Sequence, residues 1–182
     1  MTRSTSLRVV PVLGNAKRKI SLDLNRTGKE EELIVVFAGK GNDRIDLDLS
    51  AIHSAPKTRG RITVRGVLRD RASAKVRGLI KIARRAQGSD DFLEERTLLL
   101  GKDSQVETLP YLEIEADDVR ASHAATSSPV DEEQMFYLQS RGLTRWAATR
   151  LLVSGFLIRA IAAQGDKKLG SKIEKVVNYV LD

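Results

Sequence analysis

Apolar residues recur at every second position through the N-terminal part of the chain and at helical intervals through its C-terminal part. Ile45, Leu47 and Leu49 alternate with Asp46, Asp48 and Ser50, which gives a strand one apolar and one acidic face. Leu7 to Leu13 and Lys19 to Leu24 alternate in part, and the turn residues Gly14 and Asn15 separate them. The polar segment Arg26 to Glu32 reads as the next turn. Leu33 to Phe37 is continuously apolar, as expected of a strand buried on both faces, and Gly39, Gly41, Asn42 and Asp43 break it.

An internal echo follows. Val64-Arg65-Gly66-Val67-Leu68 is repeated twelve residues later as Val76-Arg77-Gly78-Leu79-Ile80. A small residue at the centre of two successive strands predicts stacked, equivalent layers in which a side chain would crowd its neighbour. A parallel β-helix with two strands per coil has this spacing, and so has an antiparallel meander.

Ala83 to Glu95 is polar, contains Gly88 and Ser89, and is expected as a long connection or projecting loop. Thr97 to Leu100 resumes an apolar strand, Gly101 to Ser104 makes a turn, and Val106 to Pro110 carries on to Tyr111. In Tyr111 to Glu115, Leu112 and Ile114 should point inward and Glu113 and Glu115 outward. Nothing converges on that carboxylate pair, so it reads as a solvated strand face.

From Ser128 the period becomes helical. Pro129 suits a first turn, the acidic residues Asp131, Glu132 and Glu133 complement a helix N-terminus, and Gly142 stops the helix after Arg141. Met135, Phe136, Leu138 and Gln139 leave one largely apolar face. Thr144 can cap a second helix running to about Ala163, with Leu151, Leu152, Gly155, Phe156, Ile158 and Ile161 at packing intervals and Gly165 and Asp166 ending it. Ser171 with Glu174 forms a capping-box pattern for a third helix, whose stripe is Ile173, Val176, Val177, Val180 and Leu181. Three helices beside a sheet structure leave some apolar surface over, and such a remainder would dock another protein.

Composition narrows the chemistry. The 182 residues suit one domain, or one with a small appendage, and suffice for a real core. The absence of cysteine rules out a disulfide, a thiolate nucleophile and any Cys-ligated zinc or iron-sulfur site on this polypeptide. An excess of 31 Lys and Arg over 24 Asp and Glu gives a charge of +7, which invites an anionic partner, whereas aromatic residues at 4% supply few base-stacking platforms. A basic module for nucleic acid or another polyanion is therefore the alternative reading. No run is long enough for a signal peptide or a membrane span, so a cytoplasmic location is expected. No Walker-type glycine loop is present, and Ser122 beside His123 makes no nucleophile and base pair, because adjacent residues of an extended chain point apart. No residue is assigned to catalysis or to cofactor binding.

The ordered series Leu98-Leu99-Leu100, Pro110, Leu112-Glu113-Ile114, Asp117-Asp118-Val119, Ser122-His123, Ala125-Thr126, Asp131 to Gln134, Phe136-Tyr137-Leu138 and Ser140 to Leu143 resembles the C-terminal half of the SufB/SufD family of iron-sulfur cluster assembly proteins. His53 to Leu68 and Gly78 to Ile82 are similar to that family's β-helix repeats, and Gly155-Phe156 to a signature of its C-terminal helices.

The resemblance implies a mainly β fold with C-terminal helices: a right-handed parallel β-helix over residues 1–126 followed by a small α-helical domain over 127–182. It implies a non-catalytic scaffold subunit that binds a SufC-like ABC ATPase through its helices and pairs with a SufB-like subunit, or with itself as a homodimer, through its β-helix. Phe136, Tyr137, Arg141 and Gly142 are the expected partner-binding positions. Family members are usually longer, which makes this chain a reduced version or a fragment. Ala121 stands where a cysteine is frequent, and Ala124 where SufB-type proteins tend to have glutamate and SufD-type proteins glycine. His123 is thus the remaining candidate metal ligand, either hydrogen-bonded structurally or acting at a subunit interface. No cofactor is expected on the chain alone, and an iron-sulfur cluster only where two subunits meet. His53 is expected to be structural.

Overall fold

The computed structural model describes residues 5–160 and 167–182. Nine strands come first: β1 (Ser6–Leu13), β2 (Ala16–Leu24), β3 (Glu30–Gly39), β4 (Arg44–His53), β5 (Arg59–Leu68), β6 (Ser73–Ile82), β7 (Ser89–Leu99), β8 (Gln105–Ile114) and β9 (Val119–Pro129). Three helices follow: α1 (Glu132–Ser140), α2 (Arg145–Ile158) and α3 (Lys167–Leu181). Odd strands form one parallel sheet, β1-β3-β5-β7-β9, and even strands a second, β2-β4-β6-β8. The chain therefore winds as a parallel β-helix with two strands per coil, and the antiparallel meander is excluded.

The register corrects the meaning given to the echo. Gly66 in β5 pairs with Phe37 and Thr97, and Gly78 in β6 with Leu49 and Pro110, so the two glycines lie in different sheets and do not stack. Each has its own reason. A Cβ on Gly66 would overlap the Phe37 ring, and one on Gly78 would sit 2.8 Å from His123 Cε1 and 2.8 Å from Leu93 Cδ1. Stacked residues are one full coil apart: Arg44 with Ser73 in β4 and β6, Ser73 with Gln105 in β6 and β8.

Inward residues of both sheets fill the lumen, among them Leu24, Leu33, Phe37, Leu47, Ile62, Ile80 and Leu93. A second cluster lies outside it. There Ile34, Val36, Ala38, Val67 and Leu98 pack against Val153 and Leu157 of α2 and Ile173, Val176, Val177 and Val180 of α3. This explains why β3 reads as continuously apolar: one face looks into the lumen and the other lies under the helices.

Several local expectations are corrected. Glu30 to Glu32 open β3, and Ser89 to Glu95 belong to β7, where Ser89, Asp91, Leu93, Glu95 and Thr97 face inward and are buried. Polar residues on an inner face had hidden the alternation. Leu112 and Ile114 occupy the inward register opposite Ile80 and Ile82 yet are 48% and 43% exposed, because no further coil covers β8. Pro129 ends β9, and Asp131 caps α1 by accepting from the N–H groups of Glu133 and Gln134. In α1 only Met135 is buried, while Phe136 turns to solvent. The buried face of α2 is Ala148, Val153 and Leu157, with Leu151 and Ile158 exposed. Thr144 caps that helix as expected, through the Ala147 N–H. Ser171 and Glu174 lie within α3, which begins at Lys167. Ile161, Ala163, Gly165 and Asp166 lie outside the described residues.

Candidate functional site

Strand β7 carries the chemistry, because its inward column places carboxylates in an otherwise apolar lumen. At one end of the strand Asp91 is 1% exposed, and its Oδ2 lies 2.7 Å from His53 Nε2. His53 Nδ1 is 2.7 Å from Thr58 Oγ1, which is 2.8 Å from Ser89 Oγ and 3.2 Å from the Ala55 carbonyl. The Ala55 carbonyl can only accept, so the Thr58 hydroxyl proton goes to it and Thr58 accepts from its other two neighbours. His53 is thus a satisfied interior histidine, as the sequence led us to expect, with a partner 38 residues away.

At the other end stands Glu95, facing His123 of β9. Glu95 Oε1 lies 3.4 Å from His123 Nε2, and the two side chains are 4% and 6% exposed. The pairing of β7 with β9 sets Leu93 opposite His123 and Glu95 opposite Ala125, so the two meet on the diagonal. Gly78 keeps the space open: a Cβ there would come within 2.8 Å of the imidazole and 3.0 Å of the carboxylate. Ser122 is exposed on the opposite face of the strand. Sequence reasoning missed Glu95 by reading its stretch as a loop. The spacing of about one coil between Glu95 and His123 was the available signal.

Glu94, the next residue, faces outward and is taken by Arg65 at 2.5 Å and Arg96 at 2.8 Å. Partial burial pushes its carboxyl up, but the Arg65 hydrogen bond and the two cationic charges outweigh that and hold it below the usual value. Glu113 likewise faces out, to Lys81 at 2.8 Å.

The expected partner-binding residues form a separate surface on α1. Phe136 is 74% and Tyr137 56% exposed, and the Arg141 guanidinium stacks 5.2 Å from the Tyr137 ring. Gly142 follows with φ of 92°, the left-handed conformation of a helix stop. The only tryptophan, Trp146, is 56% exposed on α2, with Arg150 over its ring. Beside them a groove of about 610 Å³ runs between the end of β9 and α2, lined by Pro129, Val130, Leu152, Phe156 and Arg159. Among the described residues, no hydrogen bond, ion pair or ring contact joins His123 to α1, so the two candidate regions are distinct in chemistry.

A family model described as the SufBD core domain of SUF system FeS cluster assembly matches residues 7–156. This chain belongs to the SufBD family. The iron-sulfur cluster assembly SufBD family protein of Staphylococcus saprophyticus is 37% identical over 129 residues, covering 71% of this chain and 28% of that protein. Its counterpart in Staphylococcus haemolyticus is 36% identical over 134 residues, covering 74% of this chain and 29% of its own length. The chain thus spans less than a third of the SufBD relatives it matches. Among the described residues no helix is long and apolar enough to cross a membrane.

Proposed function

We propose that this chain is a non-catalytic, cytoplasmic scaffold subunit of iron-sulfur cluster assembly that pairs through β9 and docks an ABC-type ATPase of the SufC kind on its helices. The observation that supports it is an asymmetry among the four strands that end the sheets. β1 carries Pro11 and β8 carries Pro110, each lacking a ladder donor. β2 places Arg18 in the inward column with Leu47 and Val76, a charge that would be trapped by any strand laid over it. β9 reaches Pro129 with only small residues and His123 after Arg120, and β7 is its one neighbour. An unprotected edge of that length favours strand addition by a SufB-like subunit or a second copy of this chain. The cluster, as cargo, would be completed there with thiolates from a SufB-like partner, since this chain has none.

The exposed aromatic residues Phe136, Tyr137 and Trp146, together with the groove between β9 and α2, supply the second contact, rich in the residue types that dominate interfaces. The polyanion alternative has weaker support. Outward columns alternate in sign, as in Lys17, Asp46, Lys75 and Glu107, so much of the basic charge meets an acid in the next coil. Co-purification with a SufC-type ATPase, together with mass measurement in solution, tests the proposal. Capture of the ATPase by the intact chain and a dimeric mass are expected. A monomer that captures nothing, beside a functional SufB-type control, overturns it.

A further inference from the structure

The turns that carry the chain from the even sheet back to the odd sheet span residues 25–29, 54–58, 83–88 and 115–118. The first three hold Arg26, Lys29, Lys57, Arg84 and Arg85 and no acid, and the fourth reverses to Glu115, Asp117 and Asp118. The opposite corner shows no such sorting: there Lys40 comes with Asp43, Arg69 with Asp70 and Lys102 with Asp103. Arg26, Lys57, Arg84 and Arg85 are exposed. Among the described residues the side chains of Arg26, Lys57 and Arg84 make no hydrogen bond or ion pair, and Arg85 reaches only the Ser54 carbonyl, at 2.6 Å.

The middle turn carries a second mark. Gly28, Lys57 and Gly88 stand two residues before Glu30, Arg59 and Asp90, which are in register, and each has left-handed backbone, with φ of 71°, 56° and 70°. Their N–H groups bond alike to the next coil, to the carbonyls of Pro56, Gln87 and Asp118. Glycine adopts this conformation freely and lysine does not. Asp70, the other non-glycine residue with positive φ among those described, has a local offset, since its carboxylate accepts from the Gly41 N–H at 2.9 Å. Lys57 has none. Its stem lies along Gly88, where a Cβ would stand 3.4 Å from Lys57 Cγ. A backbone cost kept for an unpaired cation points to a use for that cation.

We propose that the corner formed by residues 25–29, 54–58 and 83–88 docks a short acidic segment of a partner protein, with Lys57 at its centre. Coils stack about 4.8 Å apart, so three turns span about 10 Å, the reach of about three extended residues. Carboxylates on such a segment meet cations that have no competing partner. The fourth turn repels them, which fixes where the segment stops. No aromatic residue stands in these turns to stack a base, and that favours a peptide over nucleic acid. The site uses neither β9 nor the helices, so it does not rest on the scaffold reading above.

Fluorescence anisotropy of a labelled octaglutamate peptide, titrated with the purified chain at low salt, tests this. Saturable binding is expected. Lys57→Gly suits the left-handed backbone, so that variant should unfold no sooner than the parent while its affinity for the peptide falls about three- to fivefold. Arg84→Glu should lose at least about tenfold. Lys102→Glu, a like change on the opposite corner, should bind as the parent does. No peptide binding by the parent overturns the proposal, and so does parental affinity in Lys57→Gly, or a loss in Lys102→Glu equal to that in Arg84→Glu. Tighter binding of a single-stranded oligonucleotide of equal charge would assign the corner to phosphates, and a dimer that Arg84→Glu dissociates would assign it to a second copy; either result also overturns the proposal.

Discussion

Gly60 and Asp91 face each other in adjacent strands so closely that a Cβ on residue 60 would overlap the Asp91 carboxylate and sit 2.9 Å from its Cγ. The carboxylate occupies the volume a side chain would take. Gly60→Ala must push Asp91 off His53, leaving the imidazole buried without its acid, and is expected to cost about 3 kcal/mol. Asp91→Ala alone should cost a similar amount, and the double variant clearly less than the sum, since one substitution makes room for the other. Urea unfolding of the four proteins measures this, and strict additivity would refute the coupling.

Tyr179 of α3 donates to Asp43 Oδ2 at 2.7 Å. That hydrogen bond, then burial, then the Asp43 charge push the phenol from 10.0 up to about 12. The raised folded value means that the contribution is complete below the unfolded value and fades as pH rises through the window from 10 to about 12. Thermal unfolding of the parent should fall more steeply across that window than that of Tyr179→Phe. Asp43→Asn should bring tyrosinate absorbance to a lower pH.

The Arg65 and Glu94 pair acts on the acid side. A carboxyl held below its ordinary 4.5 contributes stability that is present above that value and lost as pH falls through the folded one. Glu94→Gln should therefore be destabilised by about 1 to 2 kcal/mol near neutral pH, where it leaves the buried Arg65 guanidinium short of its partner. It should also lose less than the parent on acidification below pH 4.5. Denaturant midpoints at several pH values decide the matter.

The end of α3 is held by Arg69, whose Nη1 donates to the carbonyls of Val180 at 3.2 Å and Leu181 at 3.0 Å. These are orphan acceptors at a helix terminus, where a cation is also favoured by the dipole. Arg69→Ala is expected to cost about 1 to 2 kcal/mol. Hydrogen exchange should quicken in the last turn of α3 before it does in β5.

Where one face of a strand was apolar and the other charged, as in β4, periodicity located the strand and its orientation. It failed for β7, whose inner residues Ser89, Asp91, Glu95 and Thr97 include no hydrophobe apart from Leu93 between them. For α2 the packing face was misjudged because hydrophobes surround the helix, and the position of β3 and β5 decides which of them are covered. His123 was found through resemblance. Glu95 depended on coil length, which turns of unequal size set and local pattern does not reveal. The inward direction of Leu112 and Ile114 was legible, but their exposure depends on a coil the chain does not supply.

The alternating columns act as a parity rule for assembly. On the odd sheet Glu30, Arg59, Asp90 and Arg120 stand in register, and on the even sheet Lys17, Asp46, Lys75 and Glu107. Neighbouring coils attract along these columns. If a coil were skipped during folding, Asp46 would meet Glu107 and Lys17 would meet Lys75, and the mistake would be repelled at both sheets. A parallel β-helix has little else to tell one coil from the next, since every rung offers the same backbone ladder. Charge thus tells each coil from its immediate neighbours, and that part of the winding order is written on the surface.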